Sequence, residues 1–224
     1  MSSSGRELLK WIALVFMTGD HAIKVLGLGY VPLVTELGRI AFPVFALVMA
    51  YKLAQPGADY AKSVRRLGTW GLVAQPVHML AFGSALPFNV LLTFALAAGS
   101  CWAAQNRRWG PLLVLLVPVP LLVDYQWSGI VLVLAWWWFF KTPAGVRGDG
   151  TIWIAVGRFW LAVAAFAPLC VYNGNPWALV AISLVFWVAD PFRSLPAVRR
   201  TRWAFYGYYV GHLALLVVLG HVLA

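Results

Sequence analysis

The chain has 224 residues, 62% hydrophobic and only 11% charged, with mean hydropathy +0.80 and a formal net charge of +10. A soluble domain of this length has too little interior to hold that much apolar surface, so the composition excludes a water-soluble globular protein and implies an integral membrane bundle. The excess of base needs no nucleic-acid partner, because basic loops facing anionic membrane lipids account for it.

The polar segment MSSSGRELLK leads into an apolar stretch that lacks a small-residue cleavage signature, and it reads as the approach to a first helix, not a removed signal. Nine helices fit the punctuation, at 11–29, 38–53, 68–84, 88–105, 110–123, 126–141, 152–170, 176–189 and 203–222. Several fall short of the ~20 residues of a full span, so tilted, short or merged elements stay open. Pro111, Pro118 and Pro120 surround the run VLLVPVPLLVD, which makes the fifth element a kinked helix or a re-entrant one. The run AWWWFF closing the sixth helix reads as an interfacial aromatic belt. Together the elements describe one all-α domain over 1–224, a polytopic transmembrane helix bundle.

Charge supports this count independently. Of the 17 basic residues, 14 fall on alternate connections: Arg6 and Lys10; Lys52, Lys62, Arg65 and Arg66; Arg107 and Arg108; Lys141 and Arg147; Arg193, Arg199, Arg200 and Arg202. The positive-inside rule assigns those connections to the cytoplasm, which predicts a cytoplasmic N-terminus, an external C-terminus and an odd number of spans. Lys24, Arg39 and Arg158 are left over, on no predicted cytoplasmic loop.

Asp20, His21 and Lys24 lie inside the first apolar span. Ionisable groups at such depth are costly unless they face a protein interior or a cavity, so they are the first candidates for chemistry. The three positions share one side of a helix, and Asp20 precedes Lys24 in the favourable i,i+4 order. An ion pair that merely fixes helix packing is the structural alternative. His212, near the middle of the last span, is expected at the depth of His21, where it is either a buried ring donating to a backbone carbonyl or the second of two imidazoles that exchange protons near neutral pH. His78 follows Pro76 in the third helix, where a freed carbonyl often accompanies a cavity. Asn89 and Thr93 share a face at the start of the fourth helix, and Asp124 and Tyr125 stand at the junction of the fifth and sixth, all near one outward-opening vestibule. Arg39 either pairs locally with Glu36 or reaches inward to an oxygen ligand. Arg158, with Arg107 and Arg108, marks an approach for an anionic ligand from the cytoplasm, unless Asp190 neutralises it.

Other chemistries find no support. Cys101 and Cys170 sit on predicted opposite sides, so no disulfide is expected, and no metal-ligand spacing is present. The sequence has no HExxH, CxxC, GxSxG, dinucleotide or Walker motif.

Four segments carry a family resemblance: LKWIALVFMTGDH at 9–21, GRIAFPVFAL at 38–47, PFNVLLTFAL at 87–96 and YYVGHLALL at 208–216, with DYQWSG at 124–129. With these the chain resembles the TraX family, bacterial inner-membrane proteins related to conjugative pilin N-acetyltransferases and, more remotely, to multi-helix membrane acyltransferases. The family's Tyr-Pro-His-like element in the last helix lacks its proline here, so only the importance of His212 carries over. The resemblance implies a multi-pass protein of the bacterial inner membrane that moves an acetyl or related acyl group from acyl-coenzyme A to an amine or hydroxyl of a protein, glycan or lipid-linked acceptor. It places His21 in the family's Asp-His pair and Arg39 in its Gly-Arg element. In that reading His21, supported by Asp20, is the base, with His212 as a second imidazole. Arg39, Lys24 or Asn89 stabilise the oxyanion, and Arg107, Arg108 or Arg158 hold phosphates of acetyl-CoA. His78 joins the donor site; no metal is expected. A proton-coupled transporter or channel, and an assembly factor with internal ion pairs, are the competing classes.

Overall fold

The computed structural model describes residues 1–141, 149–189, 201 and 203–223. The first helix, α1 (Ser3–Val25), starts eight residues before its expected position, because the Ser2 side chain accepts from the Gly5 amide at 3.0 Å and caps it. It stops where Gly27 and Gly29 adopt positive φ. Next comes α2 (Pro32–Ala54), with Pro32 in its first turn, where a proline sacrifices no hydrogen bond. The third, α3 (Tyr60–Phe82), also starts early: Asp59 caps it through the Lys62 amide at 2.8 Å, and Gly83 closes it in the left-handed conformation. The basic stretch around Arg65 is therefore helical, not a loop.

The remaining elements are α4 (Val90–Gln105), α5 (Trp109–Leu116), α6 (Gln126–Phe140), α7 (Asp149–Ala164), α8 (Phe166–Asn173), α9 (Val180–Ala189) and α10 (Ala204–Leu223). Between α5 and α6 a 3₁₀ turn, Val119–Leu122, carries Pro120, so the proline-rich fifth element is a broken helix. Segments α7 and α8 form one rod interrupted at Ala165, and counting them so gives nine rods among the described residues. Arg147, Asp190, Arg193, Arg199, Arg200 and Arg202 lie outside the described residues.

Three rods are long and apolar enough to cross a membrane, Pro32–Ala54, Ile152–Asn173 and Ala204–Leu223. The outer faces of the last two are strongly apolar: Trp153, Trp160, Val171 and Val222 are exposed, which suits lipid and not water. Helices α1 and α3 match them in length but carry the ionisable groups.

The most buried rod, α2, has Ile40, Val44 and Leu47 in a core completed by Leu9 of α1, Ile130 of α6 and Phe166 of α8. The tryptophan run differs from its expected belt. Trp136 is sealed among Phe139, Phe140, Phe159, Phe166 and Phe186, and Trp137 is buried with its indole N–H donating to Tyr60 at 3.1 Å. Trp138 alone of the three stays exposed, beneath the Arg158 guanidinium.

Candidate active site

The close approach of α1 and α2 sets the site. A Cβ on Gly38 would lie 2.5 Å from the Cβ of Asp20, and one on Gly19 would lie 2.7 Å from Val34, so both glycines are spacers that let the helices touch. Asp20, thus buried, accepts from Lys24 at 2.6 Å in the expected i,i+4 pair. Gly38→Ala is expected to destabilise the bundle by about 1–3 kcal/mol, the usual cost of overpacking, read as a fall in Tm in detergent; an unchanged Tm would show that α1 and α2 part without cost.

His21 faces α10. Its Nδ1 lies 2.8 Å from Nε2 of His212, with the rings parallel, and Nδ1 of His212 lies 2.8 Å from the Tyr208 carbonyl. A carbonyl only accepts, so His212 carries its proton on Nδ1. In a neutral ring Nε2 is then a lone pair, and His21 must donate to it from Nδ1. Nε2 of His21 is left as a lone-pair acceptor that takes part in no hydrogen bond among the described residues, in a ring that lines a cavity. The Tyr208 hydroxyl is 2.9 Å from Thr18, a second tie between α1 and α10. The hydrogen-bond partner of His21 is therefore His212, while Asp20, expected to support His21, is paired with Lys24.

The cavity has a volume of about 840 Å³ and is lined by Asp20, His21, Lys24, His78 and Tyr209 in its middle. Phe42, Phe45, Met49 and Phe94 supply apolar wall. At one end it reaches Asp124 and Tyr125. There Tyr125 holds φ +60 while its ring stacks on Phe42 at 3.8 Å, and Gly129 leaves the room, since a Cβ on it would lie 2.9 Å from Phe42. At the other end the lining is ionic: Arg6, Lys10, Lys52, Lys62 and Arg66, against Glu7 and Asp59. Five cations against two carboxylates make this mouth positive. Lys10 bonds Glu7 at 2.6 Å and sits 4.5 Å above the Phe205 ring, and Arg66 lies over Trp203.

The sequence-based assignments divide accordingly. Asp20, His21, Lys24 and His78 line the cavity, and His212 reaches it through His21. Asn89 does not: it is fully buried, caps α4 through the Leu91 amide, donates to Gly71 and Gln75, and so is a satisfied structural cap with no donor to spare. Arg39 is off the cavity lining, and it forms no ion pair with Glu36 among the described residues, where Glu36 instead accepts from Tyr30 at 2.6 Å. Arg107, Arg108 and Arg158 are also off the lining: the first two are exposed on the α4–α5 link, and the third stacks on Trp138. The basic residues that do meet the cavity were assigned by sequence to loops facing lipid. Their signal was the i,i+4 spacing of Arg6 with Lys10 and of Lys62 with Arg66, hidden in the second case because α3 was expected to start at 68. Among the described residues no three metal-ligating side chains gather.

Comparison with known proteins gives the family. The family model described as TraX protein matches residues 5–220. Two curated relatives from Escherichia coli, each called Protein TraX and one of them from strain K12, are 33% and 32% identical over 109 residues, which is 48% of this chain and 44% of each relative. The alignment thus spans less than half the length of these relatives. No solved structure matches the chain. With the family match running over nearly all of its residues, the chain belongs to the TraX family.

Proposed function

We propose that this membrane protein is an acyltransferase of the bacterial inner membrane, with His21 as general base and acyl-coenzyme A as donor. The observation that carries the reading is one continuous cavity joining a positive mouth to a histidine whose Nε2 is an acceptor left unpaired among the described residues. The donor supplies an acyl group activated as a thioester, on a long arm that ends in phosphates. The chain's residues fit such a group. Arg6, Lys10, Lys52, Lys62 and Arg66 offer charge-assisted bonds to phosphate, and Lys10 and His21 are separated along α1 by about 16 Å at ~1.5 Å per residue, a span suited to a pantetheine arm. By the positive-inside rule this mouth faces the cytoplasm, which sets the N-terminus inside and the C-terminus outside.

The mechanism follows from the tautomers. Nε2 of His21 removes the proton of the acceptor's amine or hydroxyl as that group attacks the acyl carbon. The imidazolium that forms is shared through Nδ1 with His212, whose own Nδ1–H is held by the Tyr208 carbonyl, so the positive charge spreads over two rings. Lys24 and Asp20 present a neutral pair at the same wall, where Lys24 faces developing negative charge. Direct transfer to the acceptor needs no covalent enzyme intermediate.

Purified protein in nanodiscs, incubated with radiolabelled acetyl-CoA and a membrane extract as acceptor, is expected to transfer label. Folded protein that neither binds nor consumes the donor would contradict the reading. In the same assay Lys62→Ala and Arg66→Ala are each expected to raise KM for the donor about tenfold, since a hydrogen bond to a charged group contributes ~1.5 kcal/mol. Arg107→Ala and Arg158→Ala should leave KM unchanged; the reverse pattern would move the phosphate site to the α4–α5 link.

A further inference from the structure

His78 enters no step above, and it is the most unusual group in the cavity wall. It sits four residues before Phe82 on α3, and that ring touches both imidazoles: the centroid distances are 4.8 Å from His78 to Phe82 and 5.6 Å from Phe82 to His21. The residue is only 9% exposed, and its Nδ1 is sealed in the wall without a hydrogen-bond partner among the described residues, while the ring lines the cavity. A sealed nitrogen in an apolar wall is tolerated better as a bare lone pair than as an orphaned N–H, since buried unpaired N–H groups are the rarer defect. The proton of the neutral ring then belongs on Nε2, the nitrogen left to the cavity.

His21 and His78 consequently present opposite chemistry to one space. His21 offers a lone pair and His78 offers an N–H. From this juxtaposition we infer that His78 is a second catalytic residue, a neutral imidazole whose Nε2–H donates to the acyl carbonyl oxygen while His21 deprotonates the acceptor. The inference rests on the acyl-transfer reading above. The step forms the bond from the acceptor's nitrogen or oxygen to the acyl carbon and breaks the carbon–sulfur bond. The acceptor's proton passes to Nε2 of His21 and from there to the departing thiolate, and His78 keeps its proton throughout. A neutral imidazole held as a donor stabilises oxyanion charge without giving up a proton, which is the division of labour expected of paired groups with separated roles. It also explains why the polar side chain is placed where one nitrogen must go unpaired: the orphaned Nδ1 is the consequence of aiming Nε2.

Two measurements test this in the full-length protein in nanodiscs. The first compares label transfer from acetyl-CoA by wild type, His78→Leu and His78→Gln, with donor affinity measured separately. The expected result is a kcat about 10²-fold lower in His78→Leu, the loss typical of one oxyanion donor, with donor Kd within about twofold of wild type. His78→Gln, whose amide restores an N–H, is expected to recover part of that loss. Undiminished kcat in His78→Leu, or equal losses in two folded variants, would overturn the role of His78 while leaving acyl transfer standing. An inert wild type would overturn the reading beneath it. The second measurement needs no turnover: ¹⁵N spectra of labelled histidines should show His78 protonated on Nε2 and His21 protonated on Nδ1. A proton on Nδ1 of His78 would overturn the inference whatever the activity.

Discussion

Replacing His21 by glutamine is expected to lower kcat for acyl transfer by about 10³-fold, within the ~10²–10⁴ that a positioned general base contributes. Glutamine keeps much of the volume, and its amide still reaches toward His212, so the bundle should fold and the donor should bind. What is lost is the basic lone pair that the His212 and Tyr208 contacts leave on Nε2. The measurement is single-turnover transfer of label with donor in excess, alongside donor affinity. A variant that transfers as fast as wild type would show that the proton leaves by another route, and the base would have to be sought elsewhere in the wall.

Replacing His212 produces the second largest effect, by a different cause. His212 does not need to touch substrate; it is a positioning residue that fixes which nitrogen of His21 carries the proton. In His212→Phe that constraint disappears and His21 is free to protonate Nε2, which leaves its lone pair on Nδ1, turned away from the substrate. The expected loss is about 10²-fold in kcat, at the lower edge of the range for a base because part of the population keeps the productive tautomer. KM for the donor should hold, since the mouth is untouched. His212→Gln is expected to recover activity, because its side-chain carbonyl accepts from Nδ1 of His21 as the imidazole did. A purely structural role would lower stability in both variants alike and would not separate Gln from Phe.

Much of this site was legible from residue types and depth. Asp20 and Lys24 pair as their spacing demands, and His21 meets His212 because two ionisable rings at like depth in an apolar bundle have few other places to go. The failures share a physical origin, which is that position along the chain does not define position around an axis. Asn89 looked like a free donor near the vestibule, yet it caps its own helix and is consumed by Gly71 and Gln75 across the α3–α4 contact. Arg107 and Arg108 have the charge for phosphate but sit on a link that points away from the cavity. The mouth is assembled from Arg6, Lys10, Lys52, Lys62 and Arg66, residues of three helices whose lateral meeting no single segment encodes. For Trp136 hydropathy and aromatic content suggested the interface, and packing among five phenylalanine rings overrode it. Boundaries suffered similarly: the caps at Ser2 and Asp59 extend α1 and α3 into segments that charge alone marked as loop.

These corrections also sharpen the chemistry. With α1 starting at Ser3 and α3 at Tyr60, His21 and His78 both lie toward the far ends of their helices from the positive mouth. In the proposed reading a donor held by its phosphates at that mouth would present its reactive end deep in the bundle, past the apolar wall of Phe45 and Met49. In the same reading the space beyond, at Asp124 and Tyr125, would receive the acceptor.

The most direct test of the account is chemical rescue of His21→Gly. Truncation opens room for a free imidazole beside His212, in the cavity that already reaches the mouth. Label transfer from acetyl-CoA is expected to collapse in the variant and to return in a saturable manner as imidazole is added, while wild type does not respond. Label transfer by His21→Gly at the wild-type rate, with no imidazole present, would contradict it.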